Sequence, residues 1–167
     1  MNTAQSFDEL ASHYHLIFEN WELPVERQAA ALSSILQGKC GLATTARILD
    51  CACGIGTQSL GLAKMGFRVA GCDLSARAIE RARLEASRRN ADIHFSVANM
   101  LNLTSLGESH FDAVICVDNA LPHLESAEQL FQATVVLMSS ACAGQTIESS
   151  LASQQLCLLR LSWICPL

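Results

Sequence analysis

Two carboxylates and two glycines carry the clearest chemical signal in this chain. Asp50 closes the apolar run of Ile48 and Leu49, and Gly54 and Gly56 follow it closely. Asp73 stands 73 − 54 = 19 residues beyond Gly54. Glycine lets a backbone turn sharply and approach a ligand with no Cβ in the way. A helix opening at such a turn adds free N–H groups and positive dipole character. A carboxylate at the end of the next strand can accept both ribose hydroxyls of a nucleoside. The plainer alternative is a tight strand–helix turn with Asp73 as a cap. A dinucleotide turn usually carries a third glycine in the pattern Gly-x-Gly-x-x-Gly. Here Thr57, Gln58 and Ser59 follow Gly56, which disfavours a nicotinamide-dependent oxidoreductase.

These residues need elements to hold them, and the hydropathy pattern supplies a set. Arg47 to Cys51 reads as a strand, and 57–65 as a helix closed by Gly66. A second strand covers 67–72. Ser75 is placed to cap a helix that runs to about Asn90, with Ile79, Ala82 and Ala86 on one face. Strands over 93–97 and 111–117 follow, and Ser126 to Gln129 forms a capping box for a helix through Met138. Earlier in the chain, 8–20 reads as a short helix. Pro24 opens another with Val25, Ala29, Leu32 and Leu36 at helical spacing and Gly38 as its stop. Alternation of strands and helices at this spacing predicts an α/β fold, a mostly parallel sheet covered by helices on both faces. Ligands of such sheets bind at the strand ends, near the switch point.

Composition narrows the class. The chain has 167 residues, enough for one domain with a real core. Half of them are hydrophobic and 16% are charged, which excludes a disordered or collagen-like chain. A net charge of −5 argues against a nucleic-acid-coating surface. No uninterrupted stretch reaches the ~20 apolar residues of a membrane helix, and Met1 to Glu9 lacks the apolar core of a secretory signal. The expected location is the cytoplasm. Eight cysteines are scattered with no Cys-x-x-Cys pair, so reduced, buried thiols are expected and no metal site.

The run Asp50-Cys-Ala-Cys-Gly-Ile-Gly-Thr-Gln58 resembles the first motif of class I S-adenosylmethionine (SAM)-dependent methyltransferases. Gly71-Cys-Asp-Leu-Ser75 looks like their ribose-binding acidic loop, and Ala98-Asn-Met100 like the loop flanking adenine. Phe111 to Asn119 resembles their fourth strand, and Tyr14 to Leu36 the helical cover of the glycine/sarcosine N-methyltransferase-like branch. The resemblance implies a Rossmann-like fold, SAM as cofactor, and methyl transfer to a small-molecule acceptor, an amine among the options. It implies roles too. Asp50 would sit near the methionine ammonium, beside the Ala52 and Gly54 backbone, and Gly56 would permit the close turn. Asp73, with Leu74 next to it, would hold the ribose hydroxyls. Asn99 and Met100 would frame adenine, although many relatives carry Asp where Asn99 stands. Val117 would lie near the methionine moiety, with Asn119 and His123 toward the acceptor. Tyr14, Trp21 and Arg27 would close the site, Arg27 on the methionine carboxylate. Plainer roles stand beside these: Tyr14 and Trp21 as amphipathic cover, Arg27 as a solvated helix residue, His123 as a loop histidine. Asp118 either orients an acceptor amine or simply ends the strand.

The organisation expected is a helical cover over 1–46, a SAM-binding core over 47–138 and an atypical tail over 139–167. After Met138 the pattern departs from the family's continuation, and the sheet is expected to be incomplete at its C-terminal edge. Gln145 to Glu148, or Leu156 to Ile164, would supply a substitute strand. A SAM-binding domain without catalysis is the rival to an enzyme. The sequence leaves the oligomeric state open.

Overall fold

The computed structural model describes Asp8 and residues 20–107, 111–118 and 120–141. Helix α1 spans Glu22–Gly38, strand β1 Arg47–Cys51 and helix α2 Thr57–Lys64. Strand β2 spans Arg68–Asp73, helix α3 Ala76–Arg88 and strand β3 His94–Val97. Strand β4 covers Ala113–Ile115 and helix α4 Ala127–Ala141, with 3-10 turns at Thr104–Leu106 and Leu121–His123. The expected helix over 8–20 and the tail after Ala141 fall outside the described residues, apart from Asp8 and Asn20. No helix among the described residues is long and apolar enough to cross a membrane.

The four strands form one parallel sheet in the order β3-β2-β1-β4. This is the parallel, helix-covered arrangement that the alternation of elements predicts. Side chains alternate across β1. Ile48 joins Leu32, Leu36 and Leu62 in a core under α1 and α2. Leu49 and Cys51 join Val114 and Leu137 in a core under α4. Asp50 therefore shares the face of Ile48 and points to α2, although nothing else on that face is acidic and buried on β1. Phe95, Ile79 and Ala82 make a third core between α3 and the sheet.

Local chemistry sets the element ends. Ser75 Oγ accepts from the Ala78 N–H at 3.1 Å, the expected cap of α3, and itself donates to Asp8. Ser126 Oγ accepts from the Gln129 N–H at 3.2 Å, while Gln129 Oε1 reaches back to the Glu125 N–H at 2.9 Å. The capping box is thus made, shifted by one residue on its return bond. Helix α1 begins two residues before Pro24, which sits harmlessly in its first turn. β4 is shorter than the expected 111–117. Its ladder ends at Ile115, and Asp118 takes a left-handed backbone (φ 55°) that turns the chain away. Cys51, Cys53, Cys72 and Cys116 are free thiols, the first three buried. Burial pushes the Cys53 thiol up, and the Cys72 sulfur beside it pushes Cys51 up. They are small packing residues, not nucleophiles. Cys40 departs from the reduced state expected, being disulfide-bonded.

Candidate active site

At the switch point the chain leaves β1 for β2 on one side, while β4 lies on the other. The carboxyl ends of β1, β2 and β4 consequently open a crevice. A cavity of about 190 Å³ lies there. Its wall includes Ala52, Gly54, Thr57 and Gln58 from the first turn, Asp73 and Leu74 from the second, and Asn99 and Met100 from the third. Asp118, Ala120, His123 and Leu124 complete it from the segment after β4.

The turn after β1 uses unusual backbone. Ala52 (φ 62°), Gly54 (φ 54°) and Gly56 (φ 89°) all lie in the left-handed region. The two glycines serve different ends. A Cβ on Gly54 would meet nothing within 4 Å, so its open side belongs to the cavity. A Cβ on Gly56 would come 3.1 Å from Phe95 Cζ, so Gly56 lets α2 start against the core and does not face the cavity.

Asp73 closes this turn. Its Oδ2 accepts from the Gly54 N–H and its Oδ1 from the Ser75 N–H, both at 2.8 Å. Burial pushes its carboxyl up, against the pull of those two backbone donors. Each oxygen keeps a second lone pair for a ligand hydroxyl.

Asp50 is fully buried and does not reach the cavity surface. Ser59 Oγ donates to its Oδ2 at 2.6 Å, and its Oδ1 has no hydrogen-bond partner among the described residues. Burial pushes its carboxyl up to about 7; the Ser59 hydroxyl opposes this, while the charges of Asp118 and Asp73 add to it. A buried acceptor left unpaired costs about 1–3 kcal/mol. Three carboxylates near one another and one orphan oxygen make a site that favours a positive charge.

The remaining residues fall into two groups. Leu74, Asn99, Met100 and His123 line the cavity, as Ala52, Gly54 and Asp73 do. Trp21, Arg27 and Val117 do not. The Trp21 indole N–H donates to Thr57 Oγ1 at 3.1 Å, and Arg89 stacks on its ring at 5.0 Å, so it ties α1 to the start of α2. Arg27 is exposed. Val117 packs against the core under α1 and α2. Tyr14 and Asn119 lie outside the described residues.

Two residues escaped the sequence reading. Gln58 Nε2 donates to Asp118 Oδ2 at 2.6 Å and to Gln28 Oε1 at 2.8 Å. Gln28, and not its neighbour Arg27, is the residue of α1 that turns inward. The signal was present: position 28 falls three residues after Val25 and four before Leu32, on the edge of the apolar stripe.

A parallel sheet with a glycine turn, an acidic second strand end and a carboxylate-lined crevice defines a nucleoside-cofactor-binding α/β protein. Comparison with known proteins gives the family. The methyltransferase-domain model matches residues 48–139, and the chain belongs to that family. It is 36% identical over 72 residues to a ubiquinone biosynthesis O-methyltransferase of Alkalilimnicola ehrlichii, covering 43% of this chain and 29% of that one. It is 35% identical over 82 residues to a glycine/sarcosine N-methyltransferase of Aphanothece halophytica, covering 49% of this chain and 31% of that one. The fold matches two structures of a magnesium protoporphyrin IX methyltransferase from Synechocystis PCC 6803, one with bound S-adenosylhomocysteine (TM-score 0.58) and one with bound SAM (TM-score 0.57). The first match covers 84% of this chain and 57% of the other at 22% identity. The chain spans about a third of the length of these two curated relatives.

Proposed function

We propose that this chain binds SAM in the crevice and transfers its methyl group to a small-molecule acceptor, an amine. The observation that carries the cofactor is Asp50, a wholly buried carboxylate with one oxygen unpartnered beside the glycine turn. A ligand bearing positive charge in the crevice, across the glycine turn from Asp50, favours its ionised form through space. When bound, SAM supplies a sulfonium methyl group already activated for transfer. The chain's own residues have to hold and orient the partners and exclude water. Asp73 receives the ribose hydroxyls on its spare lone pairs. Asn99, Met100 and Leu74 frame the adenine. The Gly54 backbone lies along the methionine moiety, with Asp50 behind it.

The choice of an amine rests on the cavity. O- and N-methyltransferases match this chain at similar identities. Among the described residues of the wall there is no Lys or Arg to receive an acidic acceptor, whereas Asp73 and Asp118 are both present. Calorimetry of the full chain with SAM and with NAD tests the cofactor. Binding of SAM, with NAD at least about tenfold weaker, is expected; each tenfold is 1.4 kcal/mol. Equal binding of both would defeat the reading. Transfer of a labelled methyl group to a panel of amines, phenols and carboxylic acids then tests the acceptor, with label expected on amines.

A further inference from the structure

Asp118 is held in an uncommon way. It comes from the segment after β4, and α1 and α2 each send one side chain to it. Gln58 Nε2 donates to its Oδ2 at 2.6 Å, and Gln28 Nε2 donates to its Oδ1 at 3.4 Å. Gln58 also donates to Gln28 Oε1 at 2.8 Å, which closes a ring of three side chains. Gln58 is buried, 4% exposed, so its amide is fixed by its surroundings. Both protons of that amide are spent inside the ring.

Both donors are neutral. They fix the direction of the carboxylate and do not cancel its charge, as Lys or Arg would. Asp118 itself stands in the cavity wall and is exposed. Its charge is felt as far as the buried Asp50. SAM brings one net positive charge, the sulfonium and ammonium less the carboxylate. Asp50, buried behind the Gly54 turn, and Asp73, in the wall, already lie on the side of that charge, so Asp118 is the carboxylate left over.

We infer that Asp118 receives the acceptor amine as its ammonium ion, that this nitrogen then releases a proton to solvent so that its lone pair can take the methyl group as the sulfonium C–S bond breaks, and that Gln28 and Gln58 are positioning residues that aim the carboxylate. This rests on the reading of the crevice as a SAM-dependent methyltransferase site. It adds the group that selects the acceptor and the device that orients it.

The test uses the full chain saturated with S-adenosylhomocysteine, so that no turnover occurs. The probes are n-butylammonium and butyrate, titrated separately at pH 7 and followed by calorimetry or NMR. Binding of S-adenosylhomocysteine is measured first; if it fails, both the function reading and this inference fall. If it binds, butylammonium is expected to bind at least about tenfold more tightly than butyrate, the size of one charge-assisted hydrogen bond. Asp118→Asn keeps the shape and tolerates the same left-handed backbone, and is expected to abolish that preference. Asp118→Glu is expected to restore part of it. Gln28→Met with Gln58→Met keeps the carboxylate but frees it to move, and is expected to reduce the preference severalfold. An Asp118→Asn chain that keeps the wild-type preference overturns the inference while the cofactor reading stands. So does a loss that the two probes share equally in the glutamine variants, because a purely structural ring would weaken both alike.

Discussion

Asp50 and Asp73 sit on neighbouring strands, yet the fold uses them oppositely. Asp73 is open to the cavity, and its two backbone bonds order the glycine turn. Asp73→Ala should remove the ribose hydrogen bonds, each worth about 1.5–3 kcal/mol to a charged group. SAM affinity should then fall at least about tenfold, measured by calorimetry, with a cooperative melt retained. Asp50 is a pH-dependent burden. Its carboxyl moves from an ordinary value of 3.8 to about 7 in the fold. Between those values the folded chain holds a proton that the unfolded chain has released. Stability without ligand therefore falls as pH rises from about 4 to about 7, by at most roughly 4 kcal/mol. Asp50→Asn should remove that slope, and urea unfolding at pH 5 and pH 8 would show it. An identical slope in the variant would clear Asp50 of the effect. A cation seated in the crevice, across the glycine turn from Asp50, should expel its proton near pH 6. The enthalpy of SAM binding should then change with the ionisation enthalpy of the buffer. The residue types and spacing of this pair were legible in the sequence. The orphan oxygen was not, because it depends on which face of β1 Asp50 occupies and on what α2 places opposite.

The position of α1 against α2 is decided at Gly61. A Cβ there would fall 2.5 Å from Ala29 Cβ and 2.6 Å from the Val25 carbonyl oxygen. Gly61→Val should push the helices apart and cost about 1–3 kcal/mol, read as a lowered melting temperature. Because the same contact brings Gln28 to Gln58, the variant should lose butylammonium affinity as well. A variant that melts lower but binds that probe unchanged would separate the two helices' packing from the ring. Hydrophobic period and caps made the elements readable: β1 matches its expected range, and Ser75 caps α3 as its type suggests. The inward turn of Gln28 was harder to see, since a helix face is assigned from its apolar residues and an amide at the stripe's edge looks like solvent-facing polarity. The left-handed turn at Asp118 was hidden for a similar reason. After Asp112 the run Ala113 to Val117 is apolar throughout, and nothing in it marks where pairing with β1 stops.

At the scale of the molecule, the cavity wall is gathered from four stretches, near residues 54, 73, 99 and 118. A ligand that binds only the complete wall stabilises it by about 2.7 kcal/mol at a hundredfold excess over its Kd. SAM should raise the melting temperature accordingly, and NAD at the same concentration should not. The strand order β3-β2-β1-β4 gives this a kinetic side. The pairs β1–β2 and β2–β3 join stretches close in sequence, whereas β4 must return across the whole β2–β3 segment to reach β1. Closing that longer loop carries the larger entropic cost, so β4 is the strand expected to dock last and detach first. Asp118 rides on it. Partial openings that release β4 should expose its amides to hydrogen exchange sooner than those of β1 and β2. An occupied crevice should slow exchange in β4 most of all, making the ligand a clamp on the last step of assembly.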